Sequence, residues 1–211
     1  MTSRAYPLSL LAGTLLIVVA AVSHPNLEGD GAEQLEAIAR CAAWPAIHWA
    51  FLFGFVVSVV GLVGVVGRHV GTPGESAARA GILVAVLAYG AWSVIVAFMG
   101  GSGWALAQSY VAGEPGMTAT RAVFVYDMVR PFALTAQRLG GFALGVSTLL
   151  FGWGAVRGKV VPPWLAWAGV GSGLVGIALA VAFGEATKAD QAAFVLPVLW
   201  QLAAAVVLLA V

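Results

Sequence analysis

Five long stretches of this chain, 42–67, 80–113, 139–156, 160–184 and 191–211, contain no aspartate, glutamate, lysine or arginine. A sixth apolar run, LSLLAGTLLIVVAAV, follows Arg4 and Pro7 near the start. Each meets or approaches the roughly 20 residues that a helix needs to cross about 30 Å of hydrocarbon. This placement of charge implies an all-α polytopic membrane protein whose ionic groups sit at the water boundaries. Composition agrees, since 9% of the residues are charged against roughly 25% in soluble domains. The first run has the charge and apolar core of a signal peptide. It is long, however, ends in the helix-breaking SHPN, and precedes a polytopic chain, so it reads as a retained span.

The expected spans are 5–23, 45–67, 79–99, 132–154, 162–183 and 193–211, one transmembrane domain over 1–211. Pro25 and the acids that follow stop the first. Pro45 suits the first turn of the second. GRHVGTPGE closes the second, and Pro162-Pro163 opens the fifth. Six spans put both termini on one side. If that side is the cytoplasm, Arg4, Arg68, Arg79, Arg157 and Lys159 face it with one acid, Glu75. The other side then carries Arg40, Arg121, Arg130, Arg138 and Lys188 beside all the remaining acids. The basic residues tie in number, but the inner ones crowd into short loops, so N-in, C-in is expected. Few lysines beside much alanine, glycine and valine suggest a GC-rich bacterial genome and a bacterial cytoplasmic membrane.

Most of the non-spanning chain falls on the outer side. GAEQLEAIARCAAW fits a short amphipathic helix lying at the surface. GGSG at 100–103 interrupts the third apolar run, and Thr118 or Thr120 can cap a helix containing Arg121, Tyr126, Asp127 and Arg130. Asp127 and Arg130, three apart, are placed to pair. Gly61, Gly64 and Gly67 stripe the second span, and Gly141/Gly145 and Gly169/Gly173/Gly176 follow small-residue spacings that let helices approach closely in lipid. Trp44, Trp49, Trp153, Trp164 and Trp167 fall near span ends, as an aromatic belt would.

Chemistry-bearing residues are few. His24 ends span one and His48 begins span two. A sequential antiparallel hairpin therefore puts both at the same outer depth, where a metal or haem iron can take two imidazoles. A mononuclear metal site wants a third ligand; Glu28, Asp127 or Glu185 is the candidate. The alternative is two histidines at helix ends facing headgroups. His69, on the inner side, reads as a helix-end cap. Arg138 lies about two turns into span four beside Gln137. It either binds an anionic headgroup or substrate, pairs with Asp127 or Glu185, or snorkels to the headgroups. Gln108 and Tyr110 are candidates for the same outer polar cluster. Cys41 is the single cysteine, so neither an internal disulfide nor a CxxC motif exists. No phosphate-binding glycine loop, HExxH or GxSxG occurs. No pair of acids lies within a span, and no aromatic-basic groove suggests nucleic acid.

Three features carry a family resemblance: the HP pair after span one, His48-Trp49-x-Phe51-Leu52-x-Gly54 opening span two, and RGKVVPPWLAWAG leading into span five. In the last, Arg157, Pro162 or Pro163, Trp164 and Trp167 match with one extra residue. The chain resembles the DUF4386-like group of bacterial six-helix membrane proteins. That likeness implies six helices and brings no catalytic residues. The leading functional reading is a non-catalytic accessory or small-molecule- or lipid-binding bundle, with the lipid bilayer and other membrane subunits as partners. Its competitors are a metallo- or haem protein built on His24 and His48, and a small transporter.

Overall fold

The computed structural model describes residues 4–113, 118–183 and 188–210, with side chains from residue 191 onward in the last segment. Among the described residues the fold is helical, without a strand. Six helices are long and apolar enough to cross a membrane: Ala5–Ser23, Trp44–His69, Glu75–Ala112, Ala119–Gly158, Pro163–Ala182 and Gln191–Ala210. In chain order the elements are α1 (Ala5–Ser23), α2 (Gly31–Arg40), α3 (Trp44–His69) and α4 (Glu75–Phe98). A π-helical turn, Met99–Gly103, joins α4 to α5 (Trp104–Ala112). Then come α6 (Ala119–Gly158), α7 (Pro163–Ala182) and α8 (Lys188–Ala210). The protein is a polytopic membrane bundle in which α1 packs on α3, α4 and α7 on α6, and α8 on α7 and α1.

Two spans run well past their expected ends. GGSG does not break the third span: its glycines let the backbone widen into the π turn, and the rod continues to Ala112. The fourth begins at Ala119 rather than 132 and runs for 40 residues, about 60 Å at 1.5 Å per residue. Thr118 caps it, its hydroxyl accepting from the Arg121 N–H. Pro131 lies inside this helix at an exposed position, where its ring removes one backbone donor.

Small residues set the helix spacing. A Cβ on Gly173 of α7 would stand 2.4 Å from the Leu149 amide nitrogen of α6, and one on Gly152 of α6 2.4 Å from the Val170 nitrogen of α7. Gly61 and Gly64 likewise press against Leu10 and Tyr6 of α1, whereas Gly67 meets nothing within 4 Å.

Several side chains serve otherwise than expected. Helix α2 does not lie with its apolar face on lipid. A reciprocal cap between Asp30 and Glu33 starts it, and Leu35 and Ile38 bury completely in a small second core with Trp44, Leu106 and Tyr126. Trp44 is no belt residue; it is fully buried, and its indole N–H donates to the Met99 carbonyl at 2.7 Å. Trp49, Trp153, Trp164 and Trp167 are exposed near span ends, where a belt places them. His69 is not a solvated helix cap: it is fully buried against Gly154 and Gly158, with its Nδ1–H donating to Val65 O at 2.9 Å. The described ion pairs are Arg40–Glu36 and Arg79–Glu75, so Asp127 and Arg130 do not pair among the described residues.

Candidate functional site

The second core forms a cap on the face of the bundle away from the termini. A cavity of about 510 Å³ opens beneath it, between the end of α1, α3, α4, α6 and α8. Its volume is that of an ordinary small-molecule site.

His24 comes to the cavity because Pro25 stops α1 and turns the chain out of the membrane. Its Nδ1 lies 2.8 Å from the Pro25 carbonyl, and Nδ1 of His48 lies 2.8 Å from the Trp44 carbonyl. A carbonyl can only accept, so both Nδ1 atoms carry the proton and both Nε2 atoms keep a lone pair. The two ring centres are 5.3 Å apart and nearly edge-on, with the Trp44 indole against both. Both histidines line the cavity. Burial holds the His24 imidazole below its usual range, opposed in part by its bond to Pro25.

Behind His48 stands the π turn. A Cβ on Gly100 would come within 2.6 Å of the His48 Cβ, so the widened backbone and the missing side chain together make room for the imidazole. Single π turns inside α-helices concentrate at functional sites, and this one is fixed by the Trp44 bond to Met99.

One face of α6 supplies the opposite wall. Tyr126, Arg130, Leu134 and Gln137 recur at helical spacing along it. The Tyr126 hydroxyl donates to Gln34 Oε1 at 2.9 Å, and Gln34 Nε2 donates to Gly29 O at 3.0 Å, which ties α6 to the start of α2. Arg130 is half-buried. The deep wall is aromatic: Phe51, Phe194 and Trp92 line it, Phe55 behind them meets Phe194 edge-on, and Phe194 meets Trp92 with ring centres 4.3 Å apart. The site is amphiphilic, polar under the cap and apolar toward the bundle interior.

The sequence candidates divide. His24, His48, Glu28 and Gln137 line the cavity, Glu28 from an exposed loop position. Asp127 is exposed on α6 with its carboxylate against Gly31 at the start of α2. Arg138 turns away and caps α7, donating to Ala180 O at 2.7 Å and Val181 O at 2.9 Å. Gln108 reaches Ala39 O at 3.5 Å, and Tyr110 packs on the cap core, so neither borders the cavity. Glu185 lies outside the described residues. Among the described residues no group of three histidine, cysteine or acidic side chains is placed to hold a metal ion. Sequence reasoning missed Arg130, Trp92 and Gln191 as lining residues. For Arg130 a signal existed: it sits four residues after Tyr126 and seven before Gln137, on one helical face. No protein-family model matches the sequence, and no curated protein or solved structure is significantly similar to it.

Proposed function

We propose that this protein is a non-catalytic, membrane-embedded binding protein that holds one small amphiphilic molecule in the cavity beneath its cap. One observation carries the reading: a cavity of ligand size lined both by polar side chains, His24, His48, Arg130 and Gln137, and by aromatic ones, Phe51, Trp92 and Phe194. The cap faces the outside of a bacterial cell, with the termini in the cytoplasm, an orientation supported by the basic residues gathered in short loops on the terminal face. Kinship with the DUF4386-like group belongs to the same proposal, and of its motif positions His24, Pro25, His48 and Phe51 line the cavity. Native mass spectrometry of the purified protein tests the function. A bound small molecule should survive desorption and be lost in Val195→Trp, which fills the cavity from α8. A wild-type protein that never carries or takes up an amphiphile ends the reading.

A second reading rests on the two unprotonated Nε2 atoms, which have the tautomer a metal or haem iron requires. Two imidazoles do not complete a site, and Glu28 is the cavity carboxylate that would have to join them. Elemental analysis and a visible spectrum decide it. Stoichiometric metal or a haem band, lost in a His24→Ala/His48→Ala variant, supports a metal centre; a colourless, metal-free protein purified without chelators removes it.

A further inference from the structure

We propose that the molecule held in the cavity carries an acidic head, a carboxylate or phosphate, bound at Arg130, with its apolar chain against Phe51, Trp92 and Phe194. This rests on the binding reading above and specifies its ligand.

Charge is the first argument. Arg130 is half-buried at the rim, and no carboxylate among the described residues lies within ion-pair distance of it. A guanidinium drawn partly out of water in a membrane protein normally has an anion or a wet cavity beside it. It has five donors and no acceptor, a match for the planar or tetrahedral oxygens of an acid. Arg138 does not compete for that role, because its guanidinium already serves the α7 carbonyls. Glu28, the acid at the rim, is exposed and forms no ion pair with Arg130.

Polarity along the cavity is the second argument. Below Arg130, α6 presents Ala133 and Leu134 and then the single polar side chain of Gln137, and the aromatic side chains of Trp92 and Phe194 face them from α4 and α8. Head at the rim and chain toward the interior is therefore the orientation that leaves neither end in the wrong solvent. The histidines discriminate between heads. Their Nε2 atoms accept hydrogen bonds, which a monoprotonated phosphate can supply while its charged oxygens face Arg130; a carboxylate can satisfy Arg130 alone.

The test uses the full chain in phosphatidylcholine nanodiscs and three probes of equal length: 11-bromoundecanoate, its methyl ester and 11-bromoundecyl phosphate. Bromine quenches indole on contact, and Trp92 lines the cavity. Saturable quenching should be at least 10-fold tighter for the two acids than for the ester. Arg130→Gln should reduce both acids to the ester's affinity, Arg130→Lys should retain part of the preference, and Arg157→Gln, on the terminal face, should change nothing. The tighter of the two acids identifies the head. Equal affinity for acid and ester, or an acid preference that survives Arg130→Gln, overturns the acidic-head proposal and leaves the cavity reading standing. Absence of saturable quenching by all three probes overturns both.

Discussion

Adding one methyl group at two nearby positions of α7 should have unequal effects. At Gly171 a Cβ meets nothing within 4 Å, whereas at Gly173 it would lie 2.4 Å from Leu149 N, 2.7 Å from Gly145 O and 2.8 Å from Leu149 Cα. Carbon contacts prefer about 3.5–4.0 Å, so Gly173→Ala forces α6 and α7 apart by about 1 Å. The atoms in the way are backbone, so no rotamer change relieves the clash. Both substitutions gain roughly 1 kcal/mol of helix propensity. Overpacking at Gly173 costs about 1–3 kcal/mol, which cancels or exceeds that gain. Gly171→Ala should thus raise stability by about 1 kcal/mol, and Gly173→Ala should fall below it by about 1–3 kcal/mol. Unfolding in mixed micelles by added dodecyl sulfate, followed by circular dichroism, measures the gap. Equal stabilisation by the two alanines would show that close backbone contact does not hold α6 to α7.

Arg138→Ala should destabilise by about 1–3 kcal/mol in the same assay, since two charge-assisted bonds to the end of α7 are lost, and Arg138→Lys should restore at most half, lacking the planar fork; an Arg138→Ala variant as stable as wild type refutes the cap. Tyr126→Phe should cost about 1–2 kcal/mol by stranding Gln34 Oε1, and hydrogen exchange should show α2 loosening before the bundle does. His24 has a folded value below its ordinary 6.5 because burial disfavours the imidazolium. The unfolded chain therefore binds its proton first, so this contribution to stability is complete above the unfolded value and is lost as pH falls below it. His24→Asn should make the melting temperature less sensitive to acidification below about pH 6.5 than wild type, and identical slopes would place His24 in water.

The six spans were legible because hydrocarbon tolerates charge so poorly that gaps between charges report directly on membrane crossings. Their ends were less legible. GGSG reads as a break in water, but within a packed helix pair the same glycines permit a widened turn, and the neighbour that demands it, His48, lies some fifty residues away. The meeting of His24 with His48 followed from hairpin topology alone. Which arginine faces the cavity did not: Arg130 and Arg138 are eight residues apart on one helix, and only the packing of α7 against α6 turns Arg138 aside. The expected Asp127–Arg130 pair does not form among the described residues because Asp127 faces the start of α2 and Arg130 the cavity.

The two longest rods carry a mechanical consequence. Glu75–Ala112 and Ala119–Gly158, of 38 and 40 residues, extend through the bilayer and then on into the cap without a joint other than the π turn and Pro131. Each is about twice as long as the hydrocarbon is thick. A rod of about 60 Å that leans by about 5° carries its far end sideways by about 5 Å, comparable with one helical turn. Helices answer a thinner bilayer by tilting, and a tilt of that size would carry the outer end of α6 relative to residues 24–28, which line the same cavity. On that geometry the width of the cavity mouth would follow the thickness of the surrounding lipid.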